Sequence, residues 1–97
     1  MPYIKREDRG MINHDLHELV DTIIWAQPDI LARPGMVNYA VSRLVCGTLK
    51  PTTGWSYHSL SRAIAVLRDA ATEMERRLMA KREDQVIKDN GDLEDYI

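Results

Sequence analysis

From Ser56 to Asn90 the chain runs without a single proline or glycine. Nothing in that stretch breaks a helix, and at ~1.5 Å per residue it makes a rod on the order of 50 Å. A compact protein of 97 residues has a radius of gyration of about 12–13 Å, hence a diameter near 30 Å. One helix therefore outruns any globule the chain could build around it. Along that helix Leu60, Ile64, Leu67, Ala71, Met74 and Leu78 alternate steps of four and three, the knobs of a coiled-coil-like seam. Ala63, Val66, Ala70 and Met79 widen the apolar face. The seam lapses at Lys81 and Gln85, and Val86 and Ile87 offer a weaker later contact. Two shorter helices cannot cover such a rod, so a homo-oligomer held by the long helix is expected.

The rest of the chain supplies those two helices. Leu16, Leu19, Val20, Ile23 and Ile24 recur at helical spacing, which predicts a first helix over 13–27. Asn13 is its expected N-cap, and Gln27-Pro28 ends it because a residue before proline is disfavoured in the α region. Residues 28–35 read as a connection with one turn at Asp29–Ala32. A second helix is predicted over 36–49, with Val37, Ala40, Val41, Leu44, Val45 and Thr48 as its buried stripe. Lys50 to Gly54 is a turn by composition. Residues 1–12 are expected as an extended arm anchored by Tyr3 and Ile4. Ser56 is the expected cap of the long helix, 56–90, and Asn90-Gly91 its left-handed stop, leaving an acidic tail at 91–97. The expected fold is all-α in one domain, 1–97: two short helices and a long C-terminal helix that oligomerises.

Composition narrows the function. The lone Cys46 excludes an internal disulfide framework and a cysteine-cluster zinc site. No segment approaches the ~20 apolar residues that span a bilayer, and the N-terminus lacks the apolar run of a signal peptide, so a soluble cytoplasmic protein is expected. Residues 1–82 are net positive by three and residues 83–97 net negative by five, so a mildly basic body carries an acidic tail. A pI near 5.9 argues against a dedicated DNA binder, whose charge is strongly basic.

Several strings also stand in a distinctive order. They are Met1-Pro2-Tyr3-Ile4 followed by Arg6 to Arg9, Asn38-Tyr39 with Arg43, and Ser56-Tyr57 entering a helix. Glu73 with Arg76-Arg77 follows, then Glu83-Asp84, Ile87 and Asn90-Gly91-Asp92. This pattern resembles a widespread family of short proteins of unknown function from bacteriophages, prophages and bacteria. The resemblance covers nearly the whole chain. Gln27–Pro34 and Thr52–Trp55 carry less of it, and Ala65 stands where the family usually has a small or Gly residue. It implies a helical, phage-associated protein, in a bacterial host cytoplasm, and brings no activity with it.

No catalytic, metal or cofactor set emerges. His14 and His17 with Glu18 share a helical face but lack a third ligand at fixed spacing. Cys46 reads as a small buried or half-buried thiol rather than a nucleophile. Ser56, His58 and Ser59 have no carboxylate beside them to orient an imidazole. Glu73 lies three and four residues before Arg76 and Arg77, against both guanidinium groups. The candidate ligand-binding residues are Asn38, Tyr39 and Arg43 on the second helix with Tyr57, Arg62, Arg76 and Arg77 on the third. Tyrosine stacks on a flat ring, arginine takes phosphate and asparagine reads an amide or base edge, a combination suited to a small anionic nucleotide-like ligand. The same residues could instead link helices or subunits. The expected function is non-enzymatic ligand binding, with sequestration of a nucleotide-derived host defence signal as the specific role. The alternative is an interaction module docking on a host or virion protein.

Overall fold

The computed structural model describes residues 3–96, and every element among them is helical. A 3₁₀ turn (Arg6–Asp8) leads into α1 (Gly10–Ala26), followed by α2 (Arg33–Leu49) and α3 (Tyr57–Met74). A π-helical turn (Glu75–Met79) joins α3 to α4 (Ala80–Asn90), and a second 3₁₀ turn (Glu94–Tyr96) follows. The run from Tyr57 to Asn90 is thus one 34-residue helix interrupted only by its π turn. Contacts group the chain into two units, one running up to Leu60 and one from Ser61 onward. The boundary falls in the first turn of α3.

In the first unit α1 starts three residues earlier than expected. The Arg9 carbonyl already accepts hydrogen bonds from the Ile12 and Asn13 amides at 3.2 and 3.0 Å, so Asn13 lies inside the helix and caps nothing. Glu7 and Asp8 precede the helix and place negative charge near its positive end. The arm is therefore coiled from residue 6 rather than extended to residue 12. Arg9 Nε donates to the Ile4 carbonyl at 3.2 Å, while Tyr3 and Ile4 themselves remain exposed.

α2 also begins early, at Arg33, with Pro34 in its first turn. Proline is tolerated there because the first helical amides have no intrahelical acceptor to lose. The expected turn before it is present: the Ala32 amide donates to the Asp29 carbonyl at 3.1 Å, and Asp29 Oδ1 accepts from the Leu31 amide at 3.0 Å. Arg33 clasps this connection, donating from Nε to the Gln27 carbonyl at 2.9 Å and from Nη2 to the Pro28 carbonyl at 3.0 Å. α1 and α2 face one another through the expected stripes, Leu16, Leu19, Val20 and Ile23 against Val37, Ala40, Val41 and Leu44. Thr48 leaves that stripe. It is exposed and turns its hydroxyl back to the Leu44 carbonyl at 2.7 Å, satisfying itself on its own helix.

Ser56 caps the long helix as expected, with a reciprocal partner in Ser59. The Ser59 amide donates to Ser56 Oγ at 3.1 Å and the Ser56 amide to Ser59 Oγ at 2.9 Å. This is a capping box with serine in the place of the usual Glu or Gln. Ser56→Ala should cost about 1 kcal/mol of stability, read from the urea midpoint at unchanged m-value; Ser59→Ala should cost less, because Ser56 keeps its own bond to the helix.

At the other end Gly91 adopts φ +89° and ψ 150°. The positive φ bears out a glycine stop, but this ψ lies outside the left-handed helical region, in a zone essentially reserved for glycine. The Gly91 amide still closes the helix on the Ile87 carbonyl at 2.7 Å.

In the second unit the expected seam is in place along the helix and uncovered. Leu60, just before the unit boundary, Ile64 and Leu67 keep 41–43 % of their surface exposed, and Met74 and Leu78 keep 63 %. Among the described residues only Ala63, 3 % exposed, is enclosed. The π turn, like the 3₁₀ turn Glu94–Tyr96, is absent from the sequence expectation. Its signature is the Ala80 amide donating to the Glu75 carbonyl, five residues back.

Candidate ligand-binding site

α2 brings Tyr39 and Arg43 onto one face, because four residues make slightly more than one turn. Arg43 Nη1 donates to the Tyr39 hydroxyl at 3.2 Å, and the guanidinium carbon stands 6.0 Å from the ring centroid. Both side chains are exposed. They border a groove of about 550 Å³ whose apolar lining is Leu19 and Ile23 from α1 with Met36, Ala40 and Leu44 from α2. Among the described residues no carboxylate lies within ion-pair distance of Arg43. The preceding arginine, Arg33, is spent on backbone carbonyls. Arg43 retains free N–H donors aimed at solvent beside an aromatic face.

Asn38 does not join them. One residue before Tyr39 it is turned by about 100° around the helix, and it lines a different groove of about 510 Å³ with Ile30, Arg33, Pro34, Val37 and Val41. Tyr57, in the first turn of α3, is 89 % exposed and makes no described side-chain hydrogen bond. Arg62, Arg76 and Arg77 belong to the second unit and are exposed there. Of the seven candidate residues, direct contact joins only Tyr39 and Arg43.

Within the second unit the expected Glu73 cluster is smaller than its spacing suggested. Arg76 Nη2 spans both carboxylate oxygens of Glu73, at 3.1 and 3.3 Å, and Arg77 takes no part in that ion pair. Both arginines sit in the π turn. The Arg76 hydrogen bond holds the half-buried Glu73 carboxyl below its ordinary pKa, against an opposing contribution from burial. A lowered carboxylate pKa means that whatever the pair contributes is present above the ordinary value and lost as pH falls through the lowered one.

The remaining polar residues take local roles. His14 and His17 face carboxylates one turn on, Glu18 at 3.4 Å and Asp21 at 3.7 Å, all four well exposed. Among the described residues no three His, Cys, Asp or Glu side chains converge. Ser56 bonds Ser59, not His58. Cys46, expected buried or half-buried, is exposed, because its side of α2 lies away from the stripe that meets α1. The Arg33 clasp and the Ser59 half of the capping box were missed in the sequence. An Arg immediately before a first-turn proline, and two serines three apart, were the available signals.

These features define an all-α protein of two shorter helices and one long one, with a cationic-aromatic pair at the edge of an apolar groove. No helix among the described residues is long and apolar enough to cross a membrane. The chain belongs to the family described as a domain of unknown function (DUF6899), which matches residues 1–93. No curated protein and no solved structure matches it.

Proposed function

We propose that this protein is a non-enzymatic, phage-encoded binding protein that acts as a homo-oligomer and holds a small anionic nucleotide-like ligand, a host defence signal being the class it suits. The observation that carries this reading is the Tyr39–Arg43 pair at the border of the apolar groove. An aromatic face supports stacking of a base, an arginine with unspent donors supports a phosphate, and the apolar lining supports the non-polar part of the ligand. The long-helix seam, exposed on the single chain, supports assembly.

A thermal-shift panel of mono-, di- and cyclic nucleotides and ADP-ribose derivatives tests the ligand. A ligand at 100 times its Kd stabilises by about 2.7 kcal/mol, which raises the melting temperature of a chain this size by roughly 10 °C or more. Arg43→Ala should abolish the shift and leave the far-UV spectrum unchanged, since it removes an exposed charged head and no enclosed volume. Rising salt should weaken the binding, less steeply than for a DNA complex. The second reading, an interaction module for a host or virion protein, is favoured by the same exposed seam. It forecasts no shift with any small molecule, and arginine substitutions that disturb assembly or partner capture instead.

A further inference from the structure

We infer that the groove beside Tyr39 and Arg43 is also a docking site for the acidic tail of a second copy of this chain. Its bearing on ligand capture rests on the function proposed above; the docking itself does not. The groove offers an apolar lining and one cation without a carboxylate partner among the described residues. The tail offers the complement. Asp92, Glu94 and Asp95 alternate with Leu93 and Tyr96, both well exposed.

The tail's local structure pairs its two apolar residues. The Tyr96 amide donates to the Leu93 carbonyl at 3.0 Å, closing the 3₁₀ turn Glu94–Tyr96. In a 3₁₀ turn residues three apart eclipse, with a rise of about 2 Å each. Leu93 and Tyr96 therefore stand one turn apart as two apolar prongs, roughly 6 Å from each other along it. Gly91, at φ +89°, turns the chain off the helix so that the prongs do not continue along it. The charge balance agrees: residues 1–82 are net positive and residues 83–97 net negative. On the single chain Leu93 and Tyr96 stay exposed, so the groove engaged is that of a second copy. A docked tail sets a carboxylate on Arg43, where the proposed ligand sets a phosphate. The two compete, and the tail keeps the groove covered until a stronger anion displaces it.

The test uses the full chain with Leu93→Ser and Tyr96→Ser as receptor, and a fluorescein-labelled peptide of residues 90–97 as probe. Fluorescence anisotropy should show saturable binding, weakened about tenfold by Arg43→Ala in the receptor, as loss of a charge-assisted hydrogen bond implies. A peptide carrying both serine substitutions should not bind. A salt titration of the receptor with Arg43 intact should weaken binding as well, and it probes the same charge contact without relying on the arginine variant. No saturable binding, or binding indifferent to both Arg43→Ala and salt, overturns the inference. Peptide binding with no nucleotide shift would keep tail docking and remove the ligand reading; a nucleotide shift with no peptide binding would do the reverse.

Discussion

In the proposed oligomer, Leu67→Asp is expected to lower the light-scattering mass from a multiple of 11.2 kDa to that of a monomer, or to prevent folding. Leu67 sits in the middle of the long-helix seam with 41 % of its surface uncovered on the single chain. In an assembled seam that surface is closed, and an aspartate there loses its water without gaining a partner. The cost is at least about 3 kcal/mol per site, a loss of more than a hundredfold in association constant. On an isolated monomer the same substitution keeps the carboxylate in reach of water and costs the lower helix propensity of aspartate and the covered part of the leucine, about 1–2 kcal/mol together. The two cases therefore differ in size as well as in mass. Met74→Asp, at a position 63 % uncovered, separates them further. A wild-type mass near 11.2 kDa at micromolar concentration, with Leu67→Asp costing only about 1–2 kcal/mol, would remove the oligomer from the proposed function.

Ala63→Asp should be the most damaging single substitution within one chain. Ala63 is the one enclosed side chain among the described residues, so a carboxylate there is taken out of water. A loss of about 3 kcal/mol or more is expected, a large part of the roughly 5–15 kcal/mol that holds a typical domain. Ala65→Asp, at an exposed site two residues on, shares the propensity change and should cost about 0.5–1 kcal/mol. Ala63→Leu should also destabilise, by about 1–3 kcal/mol, through overpacking. Urea unfolding of the three variants checks the ranking. Equal losses for Ala63→Asp and Ala65→Asp would mean that enclosure at residue 63 contributes nothing.

The candidate site was only partly legible before the structure. Tyr39 and Arg43 could be paired from their spacing because both lie on one helix, where four residues return the chain to the same face. Asn38 fell to a different groove for the same reason, since one residue turns the helix by about 100°. Arg76 won the Glu73 carboxylate by reaching both of its oxygens, a competition between two neighbouring guanidinium groups that spacing alone does not resolve. Cys46 lies off the α2 stripe that meets α1, so its exposure follows from that stripe and overrides the usual preference of a thiol for the interior.

The sequence by itself determined the helical class, the three helices in order, the apolar stripes of α1 and α2, the serine cap and the glycine stop. Those are local matters: periodicity, missing breakers and the backbone preferences of Ser, Pro and Gly act over a turn or two. The helix starts moved because a 3₁₀ turn ahead of Gly10, and Pro34 tolerated in a first turn, extend a helix beyond its best capping residue. Tertiary structure alone decided which arginines are spent and which are free. Arg33 is taken by carbonyls five and six residues back, which the path of the connection, rather than its composition, brings within reach. Arg43 stays available because the groove beside it is walled by leucine, isoleucine and methionine from both helices, with no carboxylate among them. The π turn at Glu75–Met79 was likewise invisible in the chain: no residue there disfavours an α-helix, and the difference is one of hydrogen-bond register rather than of propensity.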